Sequence, residues 1–209
     1  MKILKKTNSA ILCPLVMFLS LSASAPRVQT PAASRIPGAQ AQGKSVDFQA
    51  IELAIPQIEQ DKTSLGLSGT GRFRVAQIKA RVLLIEVFSF YCIHCQRMAP
   101  RMNEVFQEIQ KRPAWRENVR MIGIGVGNSP YEVKSFKEKY QVPFPLFSDQ
   151  SMKACQALGV EATPTFIGVR GDEKGLREQF YFEEGEFPDV LQFLTKIIRL
   201  SGLGQEGVK

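Results

Sequence analysis

Residues 82–88, Val-Leu-Leu-Ile-Glu-Val-Phe, are apolar at six of seven positions. A run with no polar face has to be covered on both sides if it forms a strand. Its length and β-branched content suit a strand. This segment therefore predicts a central strand, with other elements packed on each face of its sheet. The next segment of chain supplies one of them. Met98, Met102, Val105, Phe106 and Ile109 recur at the spacing of one helix face. At 209 residues, 44% of them hydrophobic and 22% charged, the chain has the composition of a globular protein and can bury a sizeable core.

The rest of the chain continues the alternation. Residues 119–126 (VRMIGIGV) predict a second buried strand. Tyr131 to Tyr140, with Val133 and Phe136 on one face, predicts a helix, and Leu146-Phe147 a short strand after Pro143 and Pro145. Ser151 to Leu158 reads as a short helix capped by Ser151 or Asp149 and ended by Gly159. Thr165 to Val169 and Gln179 to Phe182 read as a hairpin turning at Gly171–Gly175. Asp189 caps a last helix whose Leu191, Leu194, Ile197 and Ile198 are expected to face inward. Upstream, Phe48 to Ile55 and Phe73 to Val75 read as short strands. The pattern predicts an α/β sandwich with a mixed sheet over residues 46–200.

The flanks differ in character. Lys2, Lys5 and Lys6 precede the apolar stretch from Ala10, and Ala23-Ser24-Ala25 has the small-x-small form of a signal-peptidase site. Residues 1–25 are read as a signal peptide, or as an uncut anchor because Pro26 follows the cut, and as a possible membrane tether. The expected location is periplasmic or otherwise extracytoplasmic, an oxidising compartment. Residues 26–45 are rich in Pro, Ala, Gln, Gly and Ser and read as a flexible linker, and 201–209 as a flexible tail.

The net charge is +7. Setting aside the three lysines of residues 1–25 leaves 24 basic against 20 acidic side chains. So small an excess, without a dense basic cluster, argues against a nucleic-acid binder. His94 is the single histidine, which excludes a three-histidine zinc site and a His-x-x-x-His metalloprotease motif. Of four cysteines, Cys13 lies in the leader, and Cys92, Cys95 and Cys155 remain.

Cys92-Ile93-His94-Cys95 stands where the strand gives way to the helix. A cysteine at a helix N-terminus faces free backbone N–H groups and the positive end of the helix dipole, so its thiolate is favoured. The second cysteine, one turn on, can close a disulfide with it or resolve a mixed one. A protonated His94 between them would favour the thiolate further. A zinc knuckle lacks ligands, since Cys155 alone remains outside the motif. Haem attachment would need His where Gln96 stands. A purely structural disulfide across so short a loop gains little. Cys155 reads as a small buried core residue, with a third redox thiol as the alternative.

With Pro100 five residues past the second cysteine and Glu86 six before the first, residues 82–100 resemble the active-site strand and helix of the thioredoxin superfamily. Glu86 matches the family's buried acid, which exchanges a proton with the resolving thiol. Thr163-Pro164 resembles the family's cis-proline loop, whose backbone pairs with an extended substrate. Cys95 and Pro164 are 69 positions apart. That room for an extra helix-strand unit is similar to the redoxin branch, the TlpA/ResA-type thiol-disulfide oxidoreductases and the peroxiredoxins. Tyr91 stands where thioredoxin has Trp, and Phe88 to Tyr91 with His94 look more like DsbA-type oxidases. Ile85 occupies the place of the peroxiredoxin signature proline.

The resemblance implies a three-layer thioredoxin-like sandwich and a protein-disulfide reductase. Cys92 is then the nucleophile, Cys95 the resolving thiol, and Glu86 and His94 assist. Tyr91, Thr163 and Pro164 contact substrate. It implies protein thiol or disulfide partners and a membrane thiol electron donor, and no cofactor. A DsbA-like oxidase, a thiol peroxidase and a redox-inert peptide-binding module are the alternatives.

Overall fold

The computed structural model describes residues 46–172 and 174–203. The leader, the linker, Cys13 and the tail beyond residue 203 lie outside the described residues.

The run at 82–88 forms β3 (Val82–Phe88), and all seven of its side chains are buried. Two faces cannot be buried without two layers, and the sheet supplies the middle one. Its five strands lie in the order β5-β4-β3-β6-β7. β4 (Val119–Val126) runs parallel to β3, and β5 (Leu146–Asp149) parallel to β4. β6 (Thr165–Asp172) and β7 (Gly175–Glu184) make the antiparallel side. The sheet is therefore mixed.

Alternation along β3 sorts the two cores. Val82, Leu84 and Phe88 share one with α2 (Ile93–Lys111), α4 (Pro130–Tyr140) and α6 (Val190–Ser201). Leu83, Ile85 and Val87 share the other with α1 (Glu59–Leu65), α5 (Lys153–Leu158) and a two-stranded sheet. That small sheet pairs β1 (Glu52–Ala54) with β2 (Arg72–Arg74), and a 3-10 turn comes next at Val75–Gln77. The expected three-layer thioredoxin-like arrangement is the one observed. Between α2 and Pro164 run α3 (Pro113–Asn118), β4, α4, β5 and α5, so the expected extra helix-strand unit is there.

Several expectations need correction. α1 and α3 have no counterpart in the sequence reading. In α1 only Leu65 is buried, and in α3 nothing is, so neither carries an apolar period to be read. The strand expected over Phe48–Ile55 shortens to Glu52–Ala54, because the Ala50 N–H donates to the Asp47 carbonyl and turns the chain. Val75 opens the 3-10 turn and is not strand. The hairpin reverses more tightly than expected, with β6 reaching Asp172 and β7 starting at Gly175. α5 takes its cap from Asp149, whose two oxygens accept the N–H groups of Ala154 and Cys155; Ser151 is exposed. Leu191 is 55% exposed, and Phe193 faces inward in its place. Phe193 stacks on Phe187 with centroids 4.0 Å apart, while Leu194, Ile197 and Ile198 face inward as expected. α6 runs to Ser201, one residue past the expected domain end.

Candidate active site

The site assembles where β3 hands the chain to α2. Cys92 is the N-cap of α2, with extended backbone, and its sulfur accepts the Cys95 N–H at 3.4 Å. A cysteine has taken the place usually held by Ser or Asp, so the orphan N–H groups of the first turn face sulfur. The Cys92 thiol also reaches the Thr163 carbonyl at 3.3 Å, joining positions 71 apart in sequence. Burial pushes this thiol up. Hydrogen bonds with Thr163, with the Cys95 side chain and with the backbone N–H groups of Cys95 and His94 outweigh it, and the net shift is downward. Cys95, on the inner side of the same turn, is fully buried. Burial first, then the hydrogen bond to Cys92, pushes its thiol well up. Two thiols three residues apart are thus pushed in opposite directions.

Glu86 lies on the face of β3 shared by Val82, Leu84 and Phe88, the face that packs with Cys95. It is 2% exposed, and its Oε1 has no hydrogen-bond partner. Burial alone pushes its carboxyl up to about 8. A carboxyl with so high a value is mostly protonated at pH 7, keeps a minor carboxylate fraction, and can exchange a proton close to neutrality.

The loop that presents Cys92 is held at both ends of one residue. The Phe90 N–H donates to Asn128 Oδ1 at 2.8 Å, and the Phe90 carbonyl accepts from Gln96 Nε2 at 2.9 Å. Asn128 is 1% exposed and sits against Gly125, where a Cβ would lie 3.1 Å from Oδ1 and 2.8 Å from Val133 Cγ2. Glycine at 125 is therefore what lets Asn128 reach the loop. Tyr91 is 70% exposed, and its hydroxyl donates to Glu132 on α4. Thr163-Pro164 is a cis peptide, as the sequence led us to expect.

His94 is exposed, and its Nδ1 lies 2.6 Å from Glu186 Oε1. Glu186, in the β7–α6 loop, also binds Arg97 Nη2 at 2.6 Å. Arg97 first, then His94, hold its carboxyl down to about 2. Cys155 is buried, its sulfur 3.5 Å from the Val160 carbonyl, and burial followed by the Asp149 charge pushes its thiol up.

All seven candidates thus lie on β3, at the start of α2 or in the loop entering β6. Glu186, Asn128 and Gln96 escaped the sequence reading. Glu186 is 92 positions from His94 and Asn128 is 38 from Phe90, and neither belongs to a spaced motif. Among the described residues no three His, Cys, Asp or Glu side chains gather as metal ligands would.

Relatives point the same way. The chain is 26% identical over 124 residues to the thiol-disulfide oxidoreductase ResA of Geobacillus thermodenitrificans, covering 59% of this chain and 67% of that one. With ResA of Halalkalibacterium halodurans the figures are 20% over 119 residues, 57% and 59%. The chain thus spans about three-fifths to two-thirds of the length of these curated relatives. Among solved structures, a putative thiol:disulfide interchange protein DsbE from Chlorobium tepidum superposes with a TM-score of 0.55 at 17% identity, over 76% of this chain and 98% of that one. That likeness makes the fold thioredoxin-like. The model of the AhpC/TSA family matches residues 51–185, well over half of the sequence: the chain belongs to the AhpC/TSA family.

Proposed function

We propose that the protein is an extracytoplasmic thiol-disulfide oxidoreductase that reduces disulfides in client proteins. The observation that carries this reading is the opposed pair at the start of α2: a partly exposed Cys92 with its thiol pushed down, and a buried Cys95 with its thiol pushed up. A ready nucleophile beside a reluctant one is what two-step exchange needs. The names of the ResA relatives support the activity. The leader-like residues 1–25 support export and a possible tether.

The Cys92 thiolate attacks one sulfur of a client disulfide. A mixed disulfide forms, and the first client thiolate leaves and takes a proton. The Cys95 thiol then gives its proton to the carboxylate form of Glu86 and attacks the Cys92 sulfur. The Cys92–Cys95 bond closes and the second client thiolate departs. Two electrons have passed from the cysteine pair to the client. A membrane thiol donor returns them. The Thr163-Pro164 backbone holds an extended client segment as an added strand, and Tyr91 borders it. His94 tunes the potential.

A second reading, a disulfide-forming oxidase, draws on His94 between the two cysteines and on the cations Arg97 and Arg101 further along α2. Incubation with a disulfide-bonded client tests the first reading. Cys92→Ala should abolish turnover, and Cys95→Ala should accumulate the client as a mixed disulfide. Full activity in the Cys92 variant would refute the assignment. The reduction potential separates the two directions: about −270 mV marks thioredoxin-like reductants and about −120 mV DsbA-like oxidants.

A further inference from the structure

The loop between β7 and α6 is fixed on both sides of Glu186. Glu184 Oε1 accepts the N–H groups of Glu161 and Ala162, each at 3.2 Å. The Gly185 N–H donates to the Pro164 carbonyl at 2.8 Å. Phe187 is buried, stacked on Phe193 and 5.2 Å from Phe166. Glu186 stands between these anchors, so its carboxylate meets α2 from a backbone that is held.

Its contacts there are specific. Oε1 lies 2.6 Å from His94 Nδ1, 2.6 Å from Arg97 Nη2 and 3.2 Å from Arg97 Nε, and Oε2 lies 3.9 Å from Arg101 Nη1. A carboxylate oxygen at 2.6 Å requires the hydrogen on Nδ1. Arg97 Nη2, though 2.8 Å from the same nitrogen, therefore makes no hydrogen bond to it. His94 is thereby held with its Nδ1 side against Glu186. The Glu186 hydrogen bond first, and the Cys92 charge last, favour the charged form of the Arg97 guanidinium.

We propose that Glu186 is a positioning residue that sets the redox poise of the Cys92–Cys95 pair, by fixing His94 and Arg97 and offsetting the guanidinium charge that Arg97 brings to the start of α2. This deepens, and rests on, the thiol-disulfide exchange reading. The charged and titratable groups on the elements that meet at this end of α2 are His94, Arg97 and Arg101 on α2, Glu186 on the loop, Glu132 on α4, and Glu86 on β3. Of these, Glu186 is the acid in direct contact with the α2 cations. Taking its charge away leaves those cations uncompensated, which favours the thiolate. A more stable thiolate favours the reduced pair, and so a more oxidising couple.

Equilibration with glutathione buffers at pH 7, followed by thiol alkylation, tests this on the full chain. As the Cys92–Cys95 bond forms, the pair gives up two electrons and two protons, and glutathione disulfide takes both. Glu186→Gln keeps an oxygen acceptor for Nδ1–H and removes the charge. It should move the equilibrium about tenfold toward the reduced pair, which is about 30 mV for a two-electron couple. Arg97→Gln should move it several-fold the other way, and the double variant should fall near the parent. The pH at which Cys92 becomes half-alkylatable should drop in Glu186→Gln and rise in Arg97→Gln. A parent-like equilibrium in Glu186→Gln, or a double variant that behaves as Glu186→Gln alone, overturns the proposal. If Glu186→Gln does not fold, a parent-like equilibrium in Arg97→Gln overturns it equally. A parent chain that forms no Cys92–Cys95 disulfide in any buffer overturns the exchange reading as well, so the two failures are distinguishable.

Discussion

Glu86→Gln should make the protein more stable, and increasingly so as pH rises. In the folded chain burial moves this carboxyl from its ordinary 4.5 to about 8. The unfolded chain keeps the ordinary value. Between those two pH values the unfolded state has released a proton that the native state retains. Native stability therefore falls as pH rises through this window, by about 1.4 kcal/mol per pH unit. Below 4.5 both states are protonated and nothing is lost. Above 8 both are ionised and the loss levels off near about 5 kcal/mol. At pH 7 the burden is on the order of 3 kcal/mol. The amide of the variant cannot ionise and is nearly the same size, so it carries none of this. Guanidinium unfolding of both proteins in excess dithiothreitol, at pH 5, 6, 7 and 8, isolates the effect. The variant's advantage should widen by about 3–4 kcal/mol between pH 5 and pH 8, while its disulfide exchange slows. An advantage that stays constant over that range would refute a buried, neutral Glu86.

Three further outcomes are expected. In the reduced native protein, the alkylation rate of Cys92 by iodoacetamide should rise with a midpoint below 9, because the hydrogen bonds at its sulfur hold the thiol down; a midpoint at or above 9 contradicts this. Cys155 should stay unmodified in the same experiment and react only under denaturant, since it is buried and its thiol is pushed up; early labelling mapped to its peptide would show an open helix α5. Asn128→Ala leaves the Phe90 N–H without its acceptor and should cost about 1–3 kcal/mol of stability, with an unchanged denaturation midpoint counting against that bond.

The parts of the fold that were legible in the sequence are those whose burial imposes a period. β3 announced itself because a strand buried on both faces has to be apolar throughout. The face of α2 could be read from its methionines, and β4 from a run broken only by Arg120 near its start. α1 and α3 bury almost nothing, so no period marked them. Leu191 misled because spacing alone does not say which of Leu191 and Phe193, both at the edge of the face set by Leu194, Ile197 and Ile198, is covered. The stacking of Phe187 on Phe193 decides that, and it is a contact between a loop and a helix. The site divides similarly. Cys92, Cys95, Glu86 and Pro164 were readable because local geometry and a known spacing constrain them. Glu186 belongs to Glu-Glu-Gly-Glu, a stretch that reads as solvated turn. Only the pairing of β6 with β7 and the anchoring of Gly185 on Pro164 bring it to His94.

The contact between Cys92 and Thr163 also has an order in time. During synthesis Cys92 leaves the ribosome 71 residues before Thr163, and Cys155 emerges between them. The helix N-terminus can form early, but the Thr163 hydrogen bond that helps to hold the thiol down is still missing at that stage. The carbonyl of Thr163, and with it the cis-proline loop, arrives only when β6 closes against β3. Until then Cys92, Cys95 and Cys155 share one unfinished chain in which Cys92 lacks the Thr163 carbonyl. Premature oxidation in that interval would link Cys155 to Cys92 or Cys95 and keep β6 from docking. In an oxidising compartment, prompt docking of β6 is what protects this chain from its own chemistry.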